Sequence, residues 1–270
     1  MLDEQALGQL LPQVIKIAKA AHPLILEIYQ QTALWQTETK ADNTPVTAAD
    51  KAAHHYLLPA LQALYDLPVI SEESDTDHFL QDCAQYWLID PVDGTKEFIN
   101  KTDEFTVNIA LIQNQSPVLG VISQPTTDLV YAACRGQRSQ KYVGVHPAQT
   151  LQVRSRLQVP YQVLISRNHQ PADWSTVLPF KAGVSYDMVR CGSALKFGLL
   201  AEGRGDIYLR SGPTSLWDVA AGQCICEQAG GFVSTWSGEP LTYDLRQLIN
   251  PPFVAYGDKV VLQQLSHLSS

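Results

Sequence analysis

The sequence predicts a mixed α+β protein, and three features carry that expectation. Apolar residues recur three and four apart near the amino end and again in later segments, the mark of amphipathic helices. Between Phe105 and Ala133 three β-branched runs are joined by links short enough to imply antiparallel neighbours. Two other apolar runs stop at acidic residues, which is how open sheets present a ligand site at strand ends. With 270 residues, 45% of them hydrophobic, the chain can fill one large domain or two packed lobes.

The first helix is expected from the stripe Leu7, Leu11, Val14, Ala18, Ala21, Ile25 and Ile28. Pro12 and Pro23 lie inside it, so a late start or a kink is expected. Lys40 to Thr47 is turn-rich, and Thr47 reads as the N-cap of a helix through Tyr65. Asp50 falls in that helix's first turn, where it suits the helix dipole whatever else it does. Pro68 to Ile70 is a short strand running into Ser71-Glu72-Glu73-Ser74. Trp87 to Ile89 is a buried strand that Pro91 should end. Phe105–Ile112, Pro117–Ser123 and Leu129–Ala133 follow as antiparallel strands. The polar stretch from Ser139 to Gln152 then marks a boundary between an N-terminal lobe, 1–145, and a C-terminal lobe, 146–270.

The second lobe opens with a strand, Tyr161–Ser166, that leads into Arg167-Asn168-His169. After another strand, Val184–Val189, Gly192 and Ser193 read as a helix N-cap and a ready anion site. A strand from Asp206 to Leu209 leads to Arg210. The helix beyond Gly212 holds Asp218 at its start and stops at Gly230-Gly231. Phe232–Thr235 and Phe253–Tyr256 close the chain as strands, with a short helix after Asp258.

A net charge of −8 argues against binding to nucleic-acid polymers. No apolar run reaches the roughly 20 residues of a membrane span, and Met1-Leu2-Asp3-Glu4 lacks the basic flank of a secretion signal. The five cysteines are odd in number and lack zinc-ligand spacing, which suits reduced thiols. A cytoplasmic protein without a transmembrane segment is expected, with a monomer the favoured state.

Chemistry concentrates in Asp90-Pro91-Val92-Asp93-Gly94-Thr95. Two carboxylates three positions apart across a turn can aim at one point, where they repel unless a hard cation lies between them. Mg²⁺ is the expected cation. Gly94 lets the backbone approach a ligand, and Thr95 adds a hydroxyl beside free N–H groups, a setting that favours phosphate. Spacing argues against the D-x-D-G-T motif of aspartyl-phosphate phosphatases, which has one residue between its aspartates where this chain has two.

Three segments in order, Ser71-Glu72-Glu73-Ser74, Asp90 to Thr95, and Trp217-Asp218-Val219-Ala220-Ala221-Gly222, resemble the signature of the inositol monophosphatase superfamily of Mg²⁺-dependent, Li⁺-inhibited phosphatases. Further stretches resemble its bacterial CysQ branch, the 3′(2′),5′-bisphosphate nucleotidases: Ala41 to Asp50, Lys96-Glu97-Phe98, Ile165 to His169, and Gly192-Ser193-Ala194-Leu195-Lys196. Inositol phosphatases usually carry Thr-Asn-Phe where this chain has Lys96-Glu97-Phe98.

The resemblance implies a layered αβαβα sandwich of the inositol monophosphatase and fructose-1,6-bisphosphatase type, with a ligand cleft between lobes. It implies one Mg²⁺ on Glu72, Asp90 and the Val92 carbonyl, a second on Asp90, Asp93 and Asp218, and room for a weaker third near Glu72. Asp50, Thr95 and Glu72 form the implied catalytic set, in which Asp50 and Thr95 orient the attacking water. Gly94, Thr95 and Ser193 would cradle the departing phosphate, Lys196 and Arg210 would neutralise a 5′-phosphate, and His169 would approach the adenine. Ala194 stands where the branch often has a second serine. The implied substrate is a small nucleotide: hydrolysis of adenosine 3′,5′-bisphosphate to AMP, and of 3′-phosphoadenylyl sulfate, in sulfur assimilation, without a covalent enzyme intermediate. An inositol or sugar monophosphatase and a catalytically silent nucleotide sensor are the alternatives. Relatives also imply peripheral association with the inner membrane face, for which the sequence offers no amphipathic anchor.

Overall fold

The computed structural model describes residues 1–31, 38–39, 45–74, 83–155, 158–168 and 180–265. Residues 40–44 of the expected loop and His169 lie outside the described residues. Helix α1 (Glu4–Gln30) begins at Asp3, whose Oδ1 accepts a hydrogen bond from Ala6 N at 2.8 Å. It does not start late: both prolines sit inside one continuous helix. Each costs about 3 kcal/mol in a helix interior, and burial of Leu7, Leu10, Leu11, Val14, Ile25 and Tyr29 outweighs that cost.

A two-stranded ribbon, β1 (Glu38–Thr39) with β2 (Pro45–Val46), precedes helix α2 (Ala48–Leu64), which starts at the expected Thr47. Seven strands then form the first sheet in chain order: β3 (Val69–Ser71), β4 (Gln85–Asp93), β5 (Thr106–Gln113), β6 (Ser116–Gln124), β7 (Leu129–Cys134), β8 (Gln140–Val143) and β9 (Gln149–Thr150). β3 runs parallel to β4, and all later neighbours are antiparallel. Short α3 (Thr95–Ile99) lies between β4 and β5. β8 and β9 fall in the stretch that the sequence reads as polar connection, because strands half-buried, as β8 is, or exposed at the sheet edge, as β9 is, carry little apolar alternation.

The second sheet holds β10 (Tyr161–Ser166), β11 (Tyr186–Cys191), β12 (Ile207–Arg210), β13 (Phe232–Thr235) and β14 (Phe253–Tyr256), ordered β11-β10-β12-β14-β13. Strands β11, β10 and β12 are parallel, so their carboxyl ends share one edge. Helices α4 (Leu195–Ala201) and α5 (Leu216–Gln228) fill the space between the sheets.

Strand alternation sorts the layers. On β4, Trp87 and Ile89 face the α1 and α2 side with Leu57 and Leu61, while Tyr86 and Leu88 face Phe197 and Ala220 between the sheets. Each fully buried leucine contributes about 2 kcal/mol. On the second sheet Leu164 and Tyr208 point inward, and Val163, Ile165 and Ile207 meet Val261 of a closing 3₁₀ helix, Lys259–Gln264, and Leu265 just after it. The result is the layered α+β sandwich, and the parallel pair β3 and β4 delivers Glu72 and Asp90 to one edge.

Candidate active site

Strand β4 does not end before Pro91. It continues to Asp93 through a β-bulge, with Asp90 opposite Asn108 and Asp93 opposite Thr106. Side chains alternate along a regular strand, so positions 90 and 93 would face opposite ways. The extra residue resets the alternation and turns both carboxylates toward one side. Pro91 is accommodated because a bulge is one of the few places where a strand needs no N–H. Val92 N donates back to Asp90 Oδ1 at 3.1 Å.

Glu72, Asp90 and Asp218 offer carboxylate oxygens that all lie within 4.8 Å of one another. Asp93 lines the same cavity, of about 210 Å³. Its Oδ2 accepts hydrogen bonds from Ala194 N at 2.6 Å and Asn108 Nδ2 at 3.1 Å. Asp218 occupies the third position of α5, and Ser215 N donates to its Oδ2 at 2.8 Å. Among the described residues Asp90 Oδ2, Asp93 Oδ1 and Asp218 Oδ1 accept no hydrogen bond.

Burial raises the Asp90 pKa well above the ordinary carboxylate value, and the charges of Glu72, Asp93 and Asp218 raise it further. Asp218 is raised for the same reasons, by burial first and then by Asp93 and Glu72, against the Ser215 bond and the Arg210 charge. Burial also raises Asp93, opposed by Lys196, Asn108 and the Ala194 amide. Converging carboxylates with open lone pairs, hard oxygen donors only, and mutual repulsion that a dication would reverse are the chemistry of a Mg²⁺ site. The residues fit the ion.

Gly94 is left-handed, φ +93°, and opens α3; a Cβ there would come within 3.3 Å of Glu104 O, Glu97 Oε2 and Ser193 Cβ. Gly94, Thr95, Ser193, Lys196 and Arg210 all line the acidic cavity. Ser193 is not the N-cap of α4: that position is Ala194, and Ser193 itself is left-handed at φ +45°. The cause lies in the Ala194 amide, which is drawn to Asp93. Lys196 is buried rather than reaching into solvent, and its Nζ donates to Ser193 O at 2.5 Å and Cys191 O at 3.3 Å. Arg210 donates from NH2 to Pro213 O at 3.0 Å, and its buried Nε has no partner among the described residues.

Asp50 stands at the third position of α2, where its Oδ2 accepts Thr47 N at 2.8 Å and Thr47 Oγ1 at 2.6 Å. Its pKa is pushed up to about 7, chiefly by burial; the Thr47 bonds oppose this, and Glu73 and Glu72 add repulsion. No hydrogen bond joins Asp50 to Thr95 among the described residues. Sequence reasoning missed Asn108 and Thr106, which stand behind Asp93; the signal was one polar residue, Asn108, inside the apolar run Val107–Ile112.

The chain belongs to the inositol monophosphatase family, whose model matches residues 7–267. It is 42% identical over 247 residues to the 3′(2′),5′-bisphosphate nucleotidase CysQ of Escherichia coli K12, covering 90% of this chain and 98% of that one. The protein of the same name from Haemophilus influenzae is 36% identical, covering 93% of both. Among solved structures, CysQ from Bacteroides thetaiotaomicron superposes with a TM-score of 0.78 at 34% identity, covering 91% of this chain and 96% of that one. An inositol monophosphatase from Thermotoga maritima shares the fold, with a TM-score of 0.74 at 21% identity over 90% of each chain. No helix among the described residues is long and apolar enough to cross a membrane.

Proposed function

We propose that this protein is a Mg²⁺-dependent phosphatase that removes the 3′-phosphate of adenosine 3′,5′-bisphosphate, and of its sulfated analogue, leaving the 5′-substituted nucleotide. The observation that carries the reading is the meeting of Glu72, Asp90, Asp93 and Asp218 in one cavity beside Gly94, Thr95 and Ser193. The named activity of relatives such as the Escherichia coli enzyme supports the choice of nucleotide.

On this reading Glu72, Asp90, Asp93, Asp218 and the Val92 carbonyl hold the ions, two in number with a third near Glu72. Mg²⁺, when bound, supplies Lewis acidity toward the phosphate and the attacking water. Gly94 and Thr95 orient the phosphate, and Ser193 meets it from the other sheet. Asp50 holds its Oδ2 on Thr47 and takes the water's proton at Oδ1, while Thr95 directs the water. Lys196 and Arg210 contribute positive charge for a second phosphate, and His169 is assigned to the base. The N-terminal lobe, 1–145, thus supplies most of the ion ligands, and the C-terminal lobe, 146–270, supplies Asp218 and the groups that select the substrate.

Phosphate release tests this directly, with the purified protein and Mg²⁺ offered adenosine 3′,5′-bisphosphate, inositol 1-phosphate and fructose 1,6-bisphosphate in parallel. The expected result is fastest release from the nucleotide. Preference for either sugar ester overturns the substrate assignment, and nucleotide binding without release overturns catalysis.

A further inference from the structure

The loop between α3 and β5 holds two left-handed residues that are not glycine, Lys101 at φ 56° and Asp103 at φ 64°. It is anchored to the first lobe. Gln124 Nε2 and Thr126 Oγ1 donate to Asp103 O at 2.8 and 3.0 Å, and Tyr29 OH donates to Asp103 Oδ1 at 2.7 Å. The rings of Tyr29, Phe98 and Phe105 close around its ends, with centroids 4.8 to 5.0 Å apart.

From that base Glu104 reaches across to the second sheet. Its Oε1 accepts Arg167 NH2 at 2.6 Å, and its Oε2 accepts Arg167 Nε at 2.6 Å and Gly192 N at 2.7 Å. Arg167 follows β10 and Gly192 follows β11, so one carboxylate fastens two adjacent strand ends to the other lobe. Burial works to raise the Glu104 pKa, but the bonds from Arg167 and Gly192 outweigh it and hold the group below its ordinary value. The approach at Gly192 is close, since a Cβ there would stand 2.7 Å from Glu97 Cγ and 2.9 Å from Glu104 Cβ. Ala194 N, two residues on, is held by Asp93. Left-handed Ser193 is therefore bracketed by two carboxylates, both belonging to the first lobe.

We propose that Glu104 is a positioning residue that, through Arg167 and Gly192, fixes where Ser193 and the Ala194 amide stand relative to the acidic cluster. This rests on the proposed function to the extent that Ser193 faces phosphate. Glu104 itself touches no reacting atom. A neutral amide of the same shape presents an NH₂ toward N–H donors, and a lysine at 167 cannot make the paired contact.

The test compares wild type with Glu104→Gln and, from the other partner, Arg167→Lys, all with Mg²⁺. Affinity for inorganic phosphate is read by calorimetry, alongside KM and kcat for the bisphosphate and the thermal midpoint. Each variant should bind phosphate about tenfold more weakly and raise KM to match, with kcat within about threefold and the Mg²⁺-induced rise in Tm retained. The paired variant should be no worse than either single one, as members of one contact behave. Unchanged phosphate affinity in a folded Glu104→Gln protein overturns the proposal, and so does a loss that disappears when the assay is cooled well below Tm. If Glu104→Gln does not fold, Arg167→Lys decides on the same criteria. Phosphate affinity judges Glu104 and wild-type nucleotide turnover judges the proposed function, so each can fail separately.

Discussion

Helices α2 and α5 begin alike and serve different ends: both open on a hydroxyl residue followed, three positions on, by an aspartate whose Oδ2 accepts the cap's backbone N–H at 2.8 Å. The same local device positions Asp50 and Asp218. Their surroundings part them. Asp50 takes a second bond from the Thr47 hydroxyl and faces Glu72 and Glu73, whereas Asp218 keeps Oδ1 open toward Asp93 and Glu72. A capping box supplies a rigid carboxylate, and what stands opposite decides whether that carboxylate moves a proton or holds an ion.

The largest expected effect separates the two at once. Asp218→Asn should lower kcat/KM on the order of a thousandfold and remove most of the Mg²⁺-induced rise in Tm. Equal Tm responses in wild type and variant would place Asp218 outside the ion site. Asp50→Asn should cost about a hundredfold in kcat while the Mg²⁺ response stays intact. A lost Mg²⁺ response there would make the two aspartates equivalent and erase the distinction.

Acidity sharpens the contrast. Asp90 and Asp218 have folded pKa values well above the ordinary one, and Asp50 lies near 7, so their contribution to the ion-free fold is full below about 4 and lost as pH rises through the folded values. Buried His22, lowered to about 4, works oppositely, adding stability as pH climbs to about 6.5. The comparison therefore belongs between about pH 6.5 and 8. There the ion-free Tm should fall with pH, and saturating Mg²⁺ should raise it by several degrees, more at the upper end, because binding needs the ionised carboxylates. A Mg²⁺ effect that is flat across that window would contradict the site.

The smallest effect concerns the caps. Thr47→Ala and Ser215→Ala should each cost about 1 kcal/mol in denaturant unfolding. Only Thr47→Ala also removes a hydroxyl that stabilises ionised Asp50, so only it should move the acid limb of the rate profile to higher pH. Identical profiles for the two variants would mean the Thr47 hydroxyl has no bearing on the proton step.

Much of this was readable because it is local. Thr47 with Asp50, the glycines at helix ends and acids after apolar runs announce themselves within a few residues, and they located both capped aspartates and the metal-binding edge. What stayed hidden depends on partners far along the chain. Lys196 is expected as a cation for a substrate phosphate, and nothing near it in sequence announces that the carbonyls of Cys191 and Ser193 hold its ammonium inside. Ser193 reads as a cap, yet Asp93 claims the following amide and passes that place to Ala194. Strands β8 and β9 carry polar residues, so nothing local distinguishes them from a loop.

The bulge in β4 makes the distance between Asp90 and Asp93 a matter of counting rather than of chemistry. Removing either intervening residue would leave the two aspartates on one face of a regular ladder but would take away the bulge that bends the strand and sets the spacing between their carboxylates, even though every carboxylate remained in the protein. Exchanging Val92 for another apolar residue should therefore be far gentler than deleting it: this segment guards its length more strictly than its composition.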